Sequence, residues 1–482
     1  MTHSFTVGPF LFSVFSFLQI SKHSLISHTV LSLLIVLQLR PYGIVIDSGS
    51  SRSNVYLYAW PGEKENETGV VTEIKNCRVS GDGISEMKVD PEKDAKSLKA
   101  FSDCMGEVMK AIPAAKHNTT PLFLGATAGM RLLRDEQRSN EILASLREYL
   151  ISFPFAFQNA SIITGQEEGL YGWITVNYLM GNFFEKNLWN TYARPEGGKT
   201  VGSMDLGGAS TQIAFVVDDD LRGPDYMHIK LYGYPYNVYT HSFLCYGKNE
   251  AEKRILDKIE SSNPTYIMNP CYAEGYNITY NASFIYDTEC TKKPKNYNPT
   301  QEIFMVGAPD SNKCGSIVKS IFDFKTCSSS HCSFDGVEQP PVTGEFMAYA
   351  GFFYTARALG INGSSDLDQF NSSVSKFCHT HWTLKQEKTW ISDRYLKTYC
   401  YAAHYVFSLL GDGYKFDKET WKNINFEKEV KKTSIGWSLG YMLSMSNMIP
   451  SEVKQISPMT NGVFAGLIFL FSALTIVAPS SN

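Results

Sequence analysis

The chain has 482 residues, with 44 Lys and Arg against 48 Asp and Glu, so its formal net charge is −4. Because it carries no basic block, nucleic acid is excluded as an expected partner. Its length exceeds that at which a single hydrophobic core stops growing, which predicts two lobes.

Both ends of the chain are apolar. Residues 10–20 and 25–39 are hydrophobic and are separated near Lys22, so residues 1–41 are expected to form an uncleaved N-terminal anchor, with a cleaved signal peptide as the alternative. Residues 462–478 predict a C-terminal transmembrane segment, and they also fit the signal for a GPI anchor. Membrane lipid is therefore an expected partner.

The first soluble strand is expected in the run "YGIVI", and it leads directly into "DSGSSRS", residues 47–53. A Gly/Ser-rich turn after such a strand presents backbone N–H groups and hydroxyls that bind phosphate. A carboxylate beside a phosphate repels it unless a cation lies between them, so Asp47 is predicted to be a direct or water-mediated metal partner. An ordinary hairpin turn with a Ser-capped bend is the alternative.

Strands that end in Gly-rich turns then alternate with helices. Residues 121–133 predict a buried strand, a turn and the start of a helix, and residues 161–179 predict a strand, an acidic turn and an apolar helix. Residues 346–360, "FMAYAGFFYTARALG", are expected to form a buried aromatic helix. The alternation indicates an α/β fold with strands that are buried on both faces.

A second turn repeats the chemistry of the first. Residues 201–217 predict a strand, a Gly-rich turn and a strand, and the turn is "DLGGAST", residues 205–211. Two matched turns of acid and glycine, about a domain's length apart, indicate two related lobes that face one cleft.

Other charged residues allow simpler interpretations. Glu167 and Glu168 could lie at a solvated helix N-terminus, where acids favour the helix dipole. Arg131 and Arg134 are expected on a charged helix face rather than on phosphate. No C-x-x-C pair indicates zinc, and five histidines show no ligand spacing: His241, His331, His379, His381 and His404.

The cysteines and glycosylation sequons indicate a lumenal or extracellular domain. Ten cysteines lie between Cys77 and Cys400 and predict five disulfides, although the residues alone do not choose the pairing. Cys327 and Cys332 are close enough to form a small loop. Seven N-x-S/T sequons are predicted to be glycosylated: Asn66, Asn118, Asn159, Asn277, Asn281, Asn362 and Asn371.

Five segments together resemble the five apyrase regions of the ecto-nucleoside triphosphate diphosphohydrolases, in the same order. They are "DSGSSRS", "LGATAGMRLL", "ITGQEEGLYGW", "DLGGASTQ" and "IGWSLGYMLSMSNMIP". The similarity extends from about Tyr42 to Pro450 and is greatest to the cell-surface, membrane-anchored members. The two acidic turns also resemble the phosphate-binding loops of the actin and sugar-kinase superfamily.

The resemblance implies an α/β fold of two RNase-H-like lobes with the active site in the cleft between them. Lobe I is expected to contain residues 42–164 and to be completed by residues 427–456. Lobe II, with residues 165–426, is expected to hold most of the cysteines. The implied pairs are Cys77–Cys104, Cys245–Cys290, Cys271–Cys314, Cys327–Cys332 and Cys378–Cys400.

The implied activity is hydrolysis of extracellular ATP, ADP, UTP and UDP to nucleoside monophosphate and phosphate, with Ca²⁺ or Mg²⁺. In the family, the second glutamate of "GQEEG", here Glu168, is the general base that activates water for in-line attack, and Ser210 and Gln212 match residues that hold this water. The expected location is the plasma membrane, with the catalytic domain outside and self-association through the transmembrane segments.

The resemblance also implies the binding residues. Asp47, Asp205 and Thr127 match residues that hold the metal through water, and the nucleobase is expected among Phe353 or Tyr354, Tyr395 and Tyr399. The expected phosphate-binding residues are Ser50, Ser51, Arg52, Gly129, Gly207, Gly208 and Ala209. Arg52 departs from the family, which usually has histidine at this position, and adds a permanent charge.

Two other functions fit parts of the pattern. A phosphotransferase would share the two loops, but sugar kinases lack the "GQEEG" acid, the glycan sites and the disulfides. A catalytically silent surface receptor or adhesion protein on the same fold is the second alternative, against which the presence of Glu168, Ser210 and Gln212 argues.

Overall fold

The computed structural model describes residues 40–62, 64, 68–87, 91–186, 192–193, 195, 198–217, 221–259, 265–326, 331–387 and 391–449. Residues 1–39 and 462–478, which hold the expected anchors, lie outside this part, as do Asn66, Cys327 and residues 450–456. Within the described residues, no helix has both the length and the apolarity needed to cross a membrane.

The first lobe is built on a five-stranded sheet of order β3-β2-β1-β4-β5, in which only β2 runs antiparallel to its neighbours. Its strands are β1 (Tyr42–Ser48), β2 (Ser53–Ala59), β3 (Thr72–Arg78), β4 (Pro121–Ala126) and β5 (Ala156–Ile162). The helices are α1 (Pro91–Ala111), α2 (Ala128–Arg131) and α3 (Glu136–Ile151), with 3₁₀ turns at Ile84–Glu86 and Ala114–Thr119. Helix α4 (Gly165–Met180) follows β5 and lies between this sheet and the next.

The second lobe repeats this strand order. After a short pair, β6 (Glu185–Lys186) and β7 (Tyr192–Ala193), its main strands are β8 (Gly202–Leu206), β9 (Ser210–Val216), β10 (Tyr226–Leu231) and β11 (Tyr234–Leu244). With β15 (Phe346–Ala350) and β16 (Ile424–Phe426), they form a sheet of order β10-β11-β9-β8-β15-β16. Apart from the added edge strand β10, this order matches β3-β2-β1-β4-β5, and the expected α/β fold with two RNase-H-like lobes is confirmed.

Helices and a small sheet complete the second lobe. The helices are α5 (Lys248–Asp257), α6 (Ala282–Tyr286), α7 (Ser311–Lys319), α8 (Gly351–Leu359), α9 (Leu367–His379), α10 (Trp382–Gln386), α11 (Asp393–Leu396) and α12 (Tyr399–Ser408). The small sheet contains β12 (Tyr266–Asn269), β13 (Asn277–Asn281) and β14 (Glu302–Gly307), in the order β12-β14-β13. A π-helical turn at Leu409–Gly413 and a 3₁₀ turn at Trp421–Asn423 follow.

The aromatic segment 346–360 is not one helix as expected. It forms strand β15, which lies between β8 and β16, and then helix α8. The backbone changes direction at Ala350, whose φ is +51°. A strand that is buried on both faces shows no alternation of polar and apolar residues, so its sequence is indistinguishable from that of a buried helix.

Two helices lie between the sheets. The last elements of the described chain are β17 (Glu429–Val430), β18 (Thr433–Ser434) and α13 (Trp437–Ser446). Helix α13 packs against α4 and also against β1 and β2, whereas α4 packs on β8, β9 and β11. The Gly440 N–H of α13 donates to Thr175 Oγ1 of α4, 2.8 Å away. This helix pair joins the two lobes through a shared apolar core.

Disulfides are concentrated in the second lobe. Cys245–Cys290, Cys271–Cys314 and Cys378–Cys400 lie there, and Cys77–Cys104 joins β3 to α1. These are four of the five expected pairs. The fifth includes Cys327, outside the described residues.

Candidate active site

The two acidic turns have the same backbone geometry. In the β1–β2 turn, the Gly49 N–H donates to the Arg52 carbonyl (2.9 Å), and in the β8–β9 turn the Gly207 N–H donates to the Ser210 carbonyl (3.0 Å). The acid holds the same register in both hairpins, because Asp47 pairs with Asn54 and Asp205 with Gln212. Each lobe therefore presents its acid beside a four-residue loop.

The two loops face each other closely. A Cβ on Gly208 would lie 2.5 Å from Ser50 Oγ, and a Cβ on Gly129 would lie 2.7 Å from Ser50 Cα. At position 129 only glycine leaves the backbone of the first loop where it is, whereas a side chain at position 208 would displace the Ser50 hydroxyl. Lys248 and Asn249 at the start of α5 donate their N–H groups to the carbonyls of Gly207 and Gly208, which fixes the second loop.

Helix α4 begins with a capping box that separates the roles of its two acids. The Thr164 hydroxyl accepts from the Glu167 N–H (3.1 Å), and Glu167 Oε2 accepts from the Thr164 N–H (2.8 Å). Glu167 is thus occupied by the helix N-terminus. Glu168, the next residue, turns into the cleft, where its side chain is 10 % exposed.

Glu168 lies in a hydrogen-bond network that crosses the cleft. Its Oε2 accepts from Arg131 Nη2 at 2.7 Å and from Gln212 Nε2 at 3.2 Å. Gln212 Nε2 also lies 2.7 Å from Ser210 Oγ and 2.8 Å from Ser242 Oγ. The structure therefore brings Glu168, Ser210 and Gln212 together, as the sequence comparison with the apyrase regions implied.

Arg131 was expected on a charged helix face, and this expectation is wrong. Its Nη1 donates to the Ile163 carbonyl (2.9 Å), and its Nη2 reaches both Glu168 and, at 3.3 Å, Ser210 Oγ. Its side chain is only 16 % exposed. Burial raises the pKa of Glu168, and the Arg131 charge and hydrogen bond oppose that rise.

The two aspartates sit at the ends of the central strands. Trp437 Nε1 on α13 donates to Asp47 Oδ1 at 2.9 Å. Burial raises the pKa of Asp47 to about 7, against the Trp437 hydrogen bond, and the negative charge of Glu168 raises it further. The pKa of Asp205 is raised well above its usual range by burial and by Glu168 and Asp47. Three carboxyl groups therefore share one low-dielectric cleft.

Thr127 is buried where β4 ends, beside the first loop. Its N–H donates to the Ser48 carbonyl at 3.1 Å, which places it next to the strand end that carries Asp47. Its hydroxyl does not cap α2. The residue is thus positioned at the cleft, with a hydroxyl that the local helix does not use.

The expected aromatic residues occur at the N-terminal ends of α8, α11 and α12. Tyr354 is 46 % and Tyr395 is 42 % exposed, whereas Tyr399 is buried. The rings of Phe353 and Tyr354 are 5.3 Å apart. Burial raises the pKa of Tyr399 to about 12, and the nearby hydroxyls of Tyr354 and Tyr395 add to this effect. Three of the four aromatics therefore lie near one another.

Histidine and cysteine do not form a metal centre in the described part of the chain. The one cluster there of at least three potential ligand atoms within 4.8 Å of one another is Cys378, Cys400 and His404. Its two cysteines are joined to each other in a disulfide, so they are not thiolate ligands.

Arg131, Trp437 and Ser242 also belong to the site, although the sequence did not indicate them directly. Arg131 and Trp437 lie inside the segments "LGATAGMRLL" and "IGWSLGYMLSMSNMIP". Their place in these segments was the one feature of the sequence that pointed to the site. Ser242 lies in β11, outside all five segments, and only the sheet register brings it to Gln212.

Comparison with known proteins places the chain in a family. The model of the GDA1/CD39 (nucleoside phosphatase) family matches residues 35–458. Ectonucleoside triphosphate diphosphohydrolase 3 of Homo sapiens is 49 % identical over 447 residues, with 90 % of this chain and 84 % of the relative covered. Ectonucleoside triphosphate diphosphohydrolase 2 of Gallus gallus is 42 % identical over 450 residues, with 91 % of this chain and 89 % of the relative covered.

A solved structure has the same fold. The crystal structure of nucleoside triphosphate hydrolases from Neospora caninum aligns with a TM-score of 0.62 at 15 % identity, covering 89 % of this chain and 97 % of that one. The family match spans all five apyrase-like segments and both lobes of the cleft. The chain therefore belongs to the GDA1/CD39 nucleoside phosphatase family.

Proposed function

We propose that this protein hydrolyses nucleoside triphosphates and diphosphates to the monophosphate and inorganic phosphate. The observation that carries the proposal is the convergence of Glu168 with two matched acidic turns, one from each lobe, on a single cleft. The relatives named ectonucleoside triphosphate diphosphohydrolases support the same reaction.

Glu168 is the general base for the attacking water. Its carboxylate is nearly buried and is held by Arg131 and Gln212, so it is oriented before substrate arrives. Ser210 and Gln212 lie within hydrogen-bond distance of each other and would hold the water against that base. A base within reach of an in-line water needs no covalent intermediate.

The carboxyl pair fits a hard divalent cation. Among the described residues, neither Asp47 nor Asp205 forms an ion pair with Lys or Arg. The negative charge of Glu168 raises the pKa of both, and that of Asp47 raises the pKa of Asp205 further. Oxygen donors of this kind suit Ca²⁺ or Mg²⁺ with its water shell, and Thr127 would contribute through water. Such a cation would neutralise the charge on the phosphate oxygens.

The phosphate chain would lie between the loops. Backbone N–H groups and hydroxyls of both turns would bind its oxygens beside Asp47 and Asp205. Arg52, exposed at the end of the first loop, would add a cationic fork. The proposed contacts are Ser50, Ser51, Arg52, Gly129, Gly207, Gly208 and Ala209.

The nucleobase would stack on the aromatic group of the second lobe. Tyr354 and Tyr395 are exposed and Phe353 is partly exposed, whereas Tyr399 forms the buried floor. Aromatic rings bind a base by its π-face with little preference among bases. This arrangement suits several nucleotides, including ATP, ADP, UTP and UDP.

We further propose that the catalytic domain faces the outside of the plasma membrane, anchored by residues 1–41 and 462–478. The disulfides support an oxidising compartment. The lobes would divide as residues 42–164 with 427–456, and 165–426, because α13 packs on β1 and β2 while α4 packs on the second sheet. Self-association through the transmembrane segments stays a prediction.

The test compares intact cells that express the parent chain, Glu168→Gln or Glu167→Gln. Phosphate release from ATP and ADP is measured with Ca²⁺, with Mg²⁺ and with chelator. We expect metal-dependent release by the parent, a loss of about 100- to 10,000-fold in Glu168→Gln, and near-parent turnover in Glu167→Gln, whose carboxylate only caps α4.

Release that ignores Glu168 would refute the assigned base. No release by a correctly folded parent would favour the silent-receptor alternative, and transfer of phosphate only when an acceptor alcohol is supplied would favour the phosphotransferase.

A further inference from the structure

The outer face of the small sheet β12-β14-β13 carries an exposed apolar patch. Tyr266 and Met268 on β12 are 46 % and 54 % exposed, and Phe304 on β14 is 37 % exposed. The ring centroids of Tyr266 and Phe304 are 5.8 Å apart. The opposite face, with residues such as Ile303 and Met305, is buried in the core of the second lobe. A contiguous apolar patch on a soluble surface generally marks a contact site.

Two sequon asparagines lie on this same outer face. Thr279 on β13 pairs with Phe304, which in turn pairs with Tyr266, so the three residues form one row across the sheet. Asn277 and Asn281 flank Thr279 at a spacing of two residues, and all three are exposed. Because side chains alternate along a strand, residues two apart point to the same side of the sheet.

The register also sets the spacing between these asparagines and the patch. Asn277 pairs with Val306, whose neighbour on β12 is Met268, and Asn281 pairs with Glu302. The two asparagines are four positions apart along the strand, a separation of about 13 Å. This distance leaves room for a separate substituent at each. Both would project beside Phe304, from the edge strand of the sheet.

We propose that N-linked glycans on Asn277 and Asn281 fold over this patch and shield both the aromatic row and the exposed edge of β13. The chemical class of the occupant is the N-acetylglucosamine core of the glycan, whose rings present apolar C–H faces to Tyr266 and Phe304 and hydroxyls to water. A bulky polar cover of this kind replaces the charges by which sheet edges usually avoid pairing with another chain.

The modification itself requires a lipid diphosphate-linked oligosaccharide as donor. The amide nitrogen of Asn277 or Asn281 forms a bond with anomeric carbon C1 of the first sugar and loses one proton. The C1–O bond to the diphosphate breaks, and the lipid diphosphate leaves with the electron pair. The proposal rests on the proposed extracellular placement, since this donor is met during secretion.

Other sequons supply the control. Asn118 is exposed on the 3₁₀ turn Ala114–Thr119 of the first lobe, and Asn371 is exposed on helix α9. Neither lies on the β12-β14-β13 sheet. Loss of the sequons at Asn118 and Asn371 removes two glycosylation sites, as the loss of Asn277 and Asn281 does, without uncovering the patch.

The test begins with glycopeptide mass spectrometry of the full-length chain from a secretory host. We expect carbohydrate on both Asn277 and Asn281. An unoccupied pair overturns the proposal; if Asn118 is occupied in the same sample, the extracellular placement stands, so the two failures are distinguishable.

The second step compares Asn277→Gln/Asn281→Gln with Asn118→Gln/Asn371→Gln, so that each variant lacks two sequons. We expect the double variant to bind more of a hydrophobic fluorescent dye, by about twofold or more, and to self-associate on size-exclusion chromatography. Phosphate release per folded molecule should stay at the parent level. Equal dye binding and equal self-association in the two variants would overturn the proposal.

Two further measurements separate shielding from a folding effect. If the double variant is not secreted, enzymatic removal of glycans from the folded parent gives the same comparison. Adding Phe304→Thr and Tyr266→Thr to the double variant should abolish the excess self-association. If it persists without these aromatic rings, the patch is not what the glycans cover.

Discussion

Arg131 Nη2 lies 2.7 Å from Oε2 of Glu168, and the two side chains are 16 % and 10 % exposed. Burial raises the pKa of Glu168 and the Arg131 charge opposes this rise, so the guanidinium favours the deprotonated form of the proposed base. Because both side chains are largely removed from water, this ion pair shifts the pKa of Glu168 more than a solvent-exposed ion pair would.

Replacing Arg131 should therefore change the pH profile of turnover. In Arg131→Gln the pKa of Glu168 rises, and the acidic limb of the kcat profile moves to higher pH. We expect a loss on the order of 10-fold at pH 6 that narrows towards pH 8. Arg131→Lys should recover part of the loss. Steady-state kinetics between pH 5.5 and 9 measure this.

Arg134→Gln is the matched control, because Arg134 lies three residues further on and pairs with Glu289 at the surface. Its profile should overlay that of the parent. An equal loss at every pH in Arg131→Gln would mean that Arg131 does not act through the protonation of Glu168.

Asp47 should make the metal-free protein less stable as pH rises. Its pKa is about 7 when folded against an ordinary value of 3.8, so between these values the folded chain holds a proton that the unfolded chain has released. The free energy of unfolding therefore falls as pH increases through this window. Asp47→Asn removes this contribution.

Thermal unfolding in chelator at pH 5 and pH 7.5 tests whether stability falls as pH rises. The melting temperature of the parent should fall relative to that of Asp47→Asn as pH rises, and Ca²⁺ should restore more stability to the parent than to the variant. Asp103→Asn, an exposed site on α1, controls for general charge. A gap between parent and Asp47→Asn that does not change with pH would contradict the assignment.

The parts of the site that the sequence predicted are local. Both acidic turns lie within single stretches of about seven residues, so glycine, hydroxyls and acid could be interpreted together. The pair of Arg131 with Glu168 spans 37 positions, and that of Trp437 with Asp47 spans 390. Such partners depend on how α2 and α13 pack, which periodicity does not encode.

The error at β15 has a different cause. Residues 346–350 are all apolar and lie between two parallel neighbours, so no alternation distinguishes strand from helix. The fold class was still predictable because the repeated strand, Gly-rich turn and strand pattern survives in both lobes.

Trp437 is expected to position Asp47 rather than to contact substrate. Its Nε1 donates to Asp47 Oδ1, and its ring packs against Gly125 of β4. Trp437→Phe keeps most of the ring and removes the donor. We expect the Ca²⁺ concentration for half-maximal activity to rise on the order of 10-fold, because groups behind a metal partner tune its affinity.

Trp421→Phe provides the comparison. Trp421 is also fully buried, but its Nε1 has no hydrogen-bond partner among the described residues. In calcium titrations of phosphate release, the Ca²⁺ concentration for half-maximal activity of this variant should stay near that of the parent. Equal calcium dependence in the two variants would show that the Trp437 donor is not required to position Asp47.

Tyr354 is expected to carry the nucleobase from the second lobe. It is 46 % exposed, and its ring centroid lies 5.3 Å from that of Phe353. An exposed ring of this kind offers a face on which a base stacks. Tyr354→Ala should raise KM for ATP and ADP by about 5- to 150-fold, since stacking on one ring contributes about 1–3 kcal/mol. Inorganic triphosphate, which has no base, should keep its KM in this variant. Tyr234, at the start of β11, is a similarly exposed tyrosine, and Tyr234→Ala should change neither the KM for nucleotides nor the KM for triphosphate. If Tyr354→Ala weakened triphosphate as much as ATP, the ring would act on the phosphate site or on lobe closure, and the base would have to bind elsewhere.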